Sequence, residues 1–274
     1  MLQLWNLLLY QPFVNTLIFL YQILFHNLGW AIVILTVVIR AVLIPLTMPS
    51  LKAAKKMKEL APEIEKLKKK YGNDKQQFAK AQMELYRQHG ANPAAGCLPQ
   101  IVQLIILIAL YQAFIHVLKP NGDVIARLNQ VLYPSLKLTE GTIINTQFFW
   151  LNLAKPDVFR IPGLAFPLPG FFLILAALVQ FISSKMMQPA VAKAQKEAGK
   201  TETKSDDMAT AMQSQMLYLF PLMTIFIGYS FPSGLILYWF IFSFFTAIQQ
   251  YFVSGWGGVE PWLKKAIRRP AEKK

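Results

Sequence analysis

The first 51 residues carry one charged side chain, Arg40, inside the apolar run Trp30-Ala-Ile-Val-Ile-Leu-Thr-Val-Val-Ile-Arg40-Ala-Val-Leu-Ile-Pro45-Leu-Thr-Met48. A run this long and this apolar reads as a membrane-crossing helix. A guanidinium keeps its proton at any working pH. At the centre of a spanning helix it costs about 2.5–3.5 kcal/mol on insertion scales. A cost of that size marks a watered cavity or a charged partner inside the membrane. The bland alternative is snorkelling to a headgroup. Distance argues against it, because the eleven residues from Arg40 to Leu51 span roughly 16 Å of helix, and Trp30 is almost as far in the other direction.

The rest of the chain has the same character. Of 274 residues, 54% are apolar, with 20 Phe and 6 Trp, too apolar for an ordinary soluble domain. The expected class is an all-α polytopic membrane protein. No internal repeat is visible, so an inverted-repeat transporter is not supported. No Lys or Arg precedes Arg40, so no secretory signal is expected at the N-terminus. The lone Cys97 cannot form an intrachain disulfide and reads as a small packing residue.

Five spans are expected, near 30–48, 98–118, 170–188, 214–230 and 233–253. Interfacial Trp30 opens the first. The turn Asn92-Pro93-Ala-Ala-Gly96-Cys97-Leu98-Pro99 precedes the second, and Pro167-Leu-Pro169-Gly170 the third. Phe231-Pro232-Ser233-Gly234 joins the last two, and Pro221 should kink the fourth. Residues 1–28 are apolar but dotted with Gln3, Asn6, Gln11, Asn15, Gln22 and His26, a pattern suited to an interfacial amphipathic helix on the external side. A sixth span is the competing reading.

Lys and Arg set the orientation. Loop 49–97, the stretch 185–213 and tail 254–274 together carry 22, against 5 in loop 119–169. The positive-inside rule places the 22 in the cytoplasm, with the N-terminus outside and the C-terminus inside. Residues 51–89 read as a cytoplasmic helical hairpin, with apolar residues through Ile64 and Leu67 at helical spacing. Gly72 is the expected C-cap at its break, and Asp74 the N-cap of the return helix. Its basic faces suit a solvated pair held to anionic lipid headgroups, or a mobile lid that meets incoming polypeptide and targeting factors. The basic tail 254–274 suits the same headgroups or ribosomal RNA phosphates; no sequence-specific nucleic-acid binding is expected. Segment 119–169 contains Asn121-Gly122-Asp123 and the aromatic group Phe148-Phe149-Trp150. It reads as irregular, with a membrane-facing hairpin or a re-entrant element both left open.

The chemistry is defined partly by absences. No phosphate-binding loop, zinc motif or nucleophile elbow occurs. His26, His89 and His116 have no metal-ligand spacing, and the expected spans contain no Asp or Glu. Neither a cofactor, a metal nor acid–base catalysis is expected, and the chain does not read as an enzyme. The spans offer neutral polar stripes instead: Thr36, Arg40 and Thr47 on one face; Gln100 and Gln103; Gln180 and Ser184; and Ser243, Thr246 and Gln249 or Gln250. Interhelical hydrogen bonding uses the same residue types, but it does not account for Arg40, which water, neutral dipoles or a guest must solvate. Two guests fit: a small anion in a transporter or channel, or an acidic stretch of polypeptide. Met186, Met187, Met208, Met212, Met216 and Met223 flank the third and fourth spans, as core filler or as thioethers that tolerate varied guests.

With these residues in order, the chain resembles the YidC/Oxa/Alb family of membrane protein insertases, in its short five-span bacterial form. The resemblance covers nearly the whole sequence. It rests on Gly29, Thr36, Arg40 and Pro45; on Met57, Pro62 and Tyr71; on Leu85-Tyr86, Gly90-Ala-Asn92-Pro93, Gly96-Cys97-Leu98-Pro99-Gln100, Gln103 and Leu110-Tyr111; and on Phe220-Pro221-Leu222-Met223, Phe231-Pro232-Ser233-Gly234-Leu235, Tyr238-Trp239 and Gln249-Gln250. There are departures. Ile105 stands where the family usually has Pro, Phe242-Ser243 replaces a common Ser-Asn pair, and the large periplasmic domain of many Gram-negative members is missing. The resemblance implies an insertase core over 29–274 in the bacterial plasma (inner) membrane. It implies a hydrophilic groove, open to the cytoplasm and to lipid, that admits polypeptide segments and releases them laterally without nucleotide hydrolysis. Arg40 would be the groove arginine, with Thr36, Gln100, Gln103, Gln180, Ser184, Ser243, Thr246 and Gln249 as its polar lining. Implied partners are nascent membrane proteins, the ribosome, the signal recognition particle and its receptor, and the Sec translocon. The rival reading is an anion transporter or channel with Arg40 as its anion site.

Overall fold

Helices dominate the computed structural model, which describes residues 2–71, 74–92, 98–118, 124–163, 166–187 and 207–268. The chain divides into two compact units. One comprises Met1–Leu43, Gln100–Leu178 and Leu222–Phe245; the other comprises Ile44–Pro99, Val179–Pro221 and Thr246–Lys274.

In the first unit, α1 (Leu2–Trp5), a π-helical turn (Asn6–Tyr10) and α2 (Gln11–Ile23) form one continuous helical stretch. Two of the polar residues dotted along it, Gln11 and Asn15, bond within the protein. The Gln11 and Asn15 amides both donate to the Val131 carbonyl, and Asn15 accepts from the Tyr133 N–H. These bonds hold α2 to α8 (Val124–Val131) and the 3₁₀ turn Pro134–Leu136. Phe25 and His26 both adopt positive φ in the turn into α3 (Leu28–Val42). The Asn27 side chain caps α3, accepting from the N–H groups of Gly29 and Trp30, which would otherwise lack acceptors.

The expected single helix over 30–48 is interrupted. Helix α3 stops at Val42, and α4 (Ile44–Glu59) begins after Leu43. Pro45 has no N–H to give the Ala41 carbonyl, and its place just inside the start of α4 is where a helix tolerates proline. Thr47 therefore lies past the break, on α4.

Segment 119–169, expected to be irregular, contains more order than that. Besides α8 it holds two antiparallel hairpins: β1 (Gln147–Phe148) with β2 (Leu151–Asn152), and β3 (Val158–Phe159) with β4 (Leu168–Pro169). The first hairpin is bound on both sides. Asn27 donates to the Gln147 carbonyl, while the Ser233 hydroxyl and the Gly234 N–H reach the carbonyls of Asn152 and Leu153. Residues Asn121-Gly122-Asp123 lie outside the described residues.

The core of this unit gathers Val14, Leu17, Ile18, Leu28, Ala31, Ile32, Leu110, Phe114, Leu128, Leu153, Leu173 and Leu235. They come from α2, α3, α7 (Leu98–Leu118), α8, the first hairpin, α9 (Phe171–Met187) and α11 (Ser233–Ser254); α10 spans Asp207–Gly228 with Pro221 inside it. Gly228 has no room for a Cβ against Leu173, so α9 and α10 approach closely there.

In the second unit, α4 gives way to α5 (Ala61–Tyr71) at Leu60, and α5 packs on α6 (Lys75–Gln88). The expected unbroken helix from Leu51 through Leu67 is thus two helices, with Pro62 near the start of the second. Asp74 caps α6 by accepting from Gln76 and Gln77. Gly72, Pro93, Gly96 and Cys97 lie outside the described residues. The chain's last described helix is α12 (Glu260–Arg268). Among the described residues, α11 alone is long and apolar enough to cross a membrane, and α3 with α4 passes the same test only if taken as one broken span.

Candidate functional site

The first unit places four of the expected polar residues on three of its helices: Thr36 and Arg40 on α3, Gln103 on α7 and Ser243 on α11. Thr36 and Arg40 stand one turn apart on α3, with only 1% and 5% of their surface exposed. The Thr36 hydroxyl donates to the Ile32 carbonyl at 2.7 Å, so its proton is committed within its own helix. Gln103 on α7 and Tyr238 on α11 bond side chain to side chain, the amide nitrogen donating to the phenol oxygen at 3.0 Å. Tyr238 is 1% exposed and lies within electrostatic reach of the Arg40 guanidinium.

Water, neutral dipoles or a guest were the expected solvation of that cation. Aromatic faces supply part of it. The guanidinium carbon lies 4.3 Å from the centre of the Phe242 ring and 5.3 Å from that of Phe245. Both residues are on α11, which presents Tyr238, Phe242 and Phe245 at i, i+4 and i+7. A delocalised, weakly hydrated guanidinium is well suited to a π face, and cation–π attraction reaches about 2 kcal/mol or more where water is excluded. Sequence reasoning missed both phenylalanines, since two more aromatics in an apolar span carry no mark of a cation. The available signal was their helical spacing from Tyr238.

Ser243, also on α11, is buried. Gln100 belongs to α7, but its side chain lies outside the described residues, as do those of Met187, Met208, Met212 and Met216. Met186 is buried and Met223 exposed. Gln180, Ser184, Thr246 and Gln249 fall in the second unit. There Gln249 and Gln250 are both buried, so both candidates for that stripe position face protein.

The second unit has its own polar and aromatic cluster. Trp262 on α12 stacks on Phe181 with ring centres 6.1 Å apart, and Lys185 reaches over the indole at 5.5 Å. Gly257 packs against the Met186 carbonyl, near the Lys58 ammonium. Burial pulls the Lys58 ammonium below its ordinary pKa, against the opposing pull of Glu260 and Glu59. The ion pairs Glu65–Lys69, Glu84–Arg87 and Glu260–Lys264 lie on exposed helical faces, where each contributes little.

The profile of the family described as 60Kd inner membrane protein matches residues 19–257. A curated relative, the membrane protein insertase YidC of Fusobacterium nucleatum, is 37% identical over 227 residues, covering 83% of this chain and 86% of the relative. The membrane protein insertase YidC of Laribacter hongkongensis is 31% identical over 251 residues, covering 91% of this chain but 35% of the relative. That of Rickettsia prowazekii is 31% identical over 238 residues, covering 83% and 35%. The chain thus spans most of the first relative and about a third of the other two.

Proposed function

We propose that this chain, which belongs to the 60Kd inner membrane protein family of YidC insertases, works as a bacterial inner-membrane insertase that admits polypeptide segments beside Arg40 and releases them sideways into lipid. The observation that carries this reading is a cation buried to 5% exposure on the apolar helix α3, resting on the rings of Phe242 and Phe245. A cation–π contact is exchangeable. A carboxylate entering from an incoming segment offers a charge-assisted bond of greater strength, in which charge rather than fork geometry matters, so the guanidinium can leave the rings for the guest and return when the guest departs.

The energetic logic is general. A polar or acidic tail entering hydrocarbon loses several kcal/mol for each unsatisfied group. A cation partway along the route lowers that barrier, and burial of the guest's apolar helix in lipid then supplies the driving force. The membrane potential favours outward movement of acidic residues. No nucleotide is required. In this reading five spans cross the membrane near α3, α7, α9, α10 and α11, with residues 1–28 on the outer surface. The basic helices α4 to α6 and the tail face the cytoplasm, where anionic lipids, the ribosome, the signal recognition particle and its receptor, and the Sec translocon are the partners.

The test is insertion into proteoliposomes of clients whose short translocated tails are acidic or neutral. Arg40→Ala and Arg40→Glu should lower insertion of the acidic-tailed clients at least several-fold and spare the neutral ones, while Arg40→Lys retains most activity. Full activity of Arg40→Glu on an acidic-tailed client overturns the role given to the cation.

A further inference from the structure

The two-residue turn of the first hairpin is built at odds with ordinary turn chemistry. Phe149 and Trp150 connect β1 to β2, and Phe149 holds φ at +52°. Two-residue hairpin turns use Gly, Asn or Asp at such positions, and a bulky residue there is strained. The strain brings no burial. The Phe149 ring is 73% exposed and Trp150 is 62% exposed, so two large rings stand at the tip, one held there against its backbone preference.

The tip's neighbours indicate what covers it. Phe148, just before it, packs edge-on against Trp30 in the first turn of α3 and fills the space where a Cβ on Gly29 would be. Trp150 meets Phe171 and Phe172 in the first turn of α9. The exposed rings thus sit at the level where two apolar helices begin. Farther along the same two helices, Val37 and Val38 of α3 and Ile174 and Leu178 of α9 are exposed, side chains that face hydrocarbon if these helices cross a bilayer. Trp at that level belongs to the aromatic belt that membrane proteins place among headgroups, and the apolar Phe149 ring beside it suits the upper acyl chains.

We propose that the Phe149–Trp150 turn is a membrane anchor, a wedge seated among the lipid headgroups and upper acyl chains of the leaflet from which α3 and α9 start. It fixes the depth of the hairpin and, through Asn27, Ser233 and Gly234, the starts of α3 and α11.

The full chain carrying Cys97→Ser and either Phe149→Cys or Glu140→Cys is labelled with an environment-sensitive dye and reconstituted into vesicles of phosphatidylethanolamine and phosphatidylglycerol. Glu140, exposed beside Gly141, is the aqueous reference. The dye at 149 should be quenched at least twofold by lipid spin-labelled near the headgroup. It should resist iodide supplied on both sides of the membrane, while the dye at 140 shows the reverse. Iodide quenching at 149 equal to that at 140, without lipid quenching, overturns the proposal and turns the tip toward a protein partner. The double variant Phe149→Asn, Trp150→Gly gives a second measurement, since its turn suits the hairpin better than the native one. Hydrogen exchange of residues 145–153 in vesicles should quicken at least severalfold if lipid anchors the tip. Slower or unchanged exchange overturns the proposal.

Discussion

The Arg40 guanidinium carbon lies 4.3 Å above the Phe242 ring, so the chain's one charge before Lys52 rests on an aromatic face from another helix. Removing the π face while keeping bulk should expose the coupling. Phe242→Leu and Arg40→Met should each destabilise the protein in detergent micelles, and the double variant by less than their sum. The expected coupling is about 1–2 kcal/mol, read from thermal unfolding of all four proteins. Strict additivity would mean that the rings merely pack beside the cation. If the rings hold the guanidinium between clients, Phe242→Leu should also raise the affinity of an acidic-tailed peptide, because the cation no longer has to leave them.

Gln103 and Tyr238 form a buried polar pair across α7 and α11. Tyr238→Phe strands the glutamine amide, and Gln103→Leu strands the phenol. Each orphaned group should cost about 1–3 kcal/mol, whereas the double variant replaces both partners by apolar ones and should recover much of the loss. Guanidine or thermal unfolding of the four proteins checks this, and a double variant as unstable as the sum of the singles would place the pair's value elsewhere.

The sequence made part of this site legible. A charge among sixteen apolar neighbours and two threonines stands out without coordinates, and the spacing of Thr36 and Arg40 put them on one face. Asp74 was readable as a cap because its carboxylate can only accept, and the N–H groups two and three residues on, at the start of a helix, need acceptors. What resisted reading had physical causes. The break at Leu43 turns on Pro45, whose residue type is tolerated both inside membrane helices and at helix starts. The cation's aromatic neighbours come from a helix two hundred residues away, and no local pattern pairs them with α3. Gln11 and Asn15 of α2 both donate to the Val131 carbonyl, more than a hundred residues on, a pairing that no local pattern announces.

Asp157 illustrates a third dependence. It is 8% exposed, and its carboxylate accepts from the Leu173 N–H at 2.9 Å, capping the start of α9, where negative charge also meets the helix dipole favourably. Gly170 leaves room for that carboxylate, since a Cβ there would overlap it. Asp157→Ala should destabilise by about 0.5–2 kcal/mol, and Gly170→Ala by about 1–3 kcal/mol. In the double variant the overlap is gone, so thermal unfolding should show it less unstable than the sum of the two singles.

The last helix provides a pH-dependent prediction. The hydrogen bond and charge of Lys264 hold the Glu260 carboxyl below its ordinary 4.5. A carboxylate with a depressed folded-state pKa stabilises fully above the unfolded value, and that contribution fades as pH falls through the folded one. Wild type should therefore exceed Lys264→Met in stability by a small margin at pH 6, and the margin should close as pH drops below 4. A margin that persists at pH 3 would assign the effect to packing of the lysine stem. Gly257→Ala gives the complementary case, independent of pH. Its φ of +51° disfavours any side chain, and a Cβ would meet the Met186 carbonyl. The substitution should cost more than about 1 kcal/mol and lift Trp262 from Phe181. The second effect is read as increased solvent exchange of the Trp262 indole N–H by NMR.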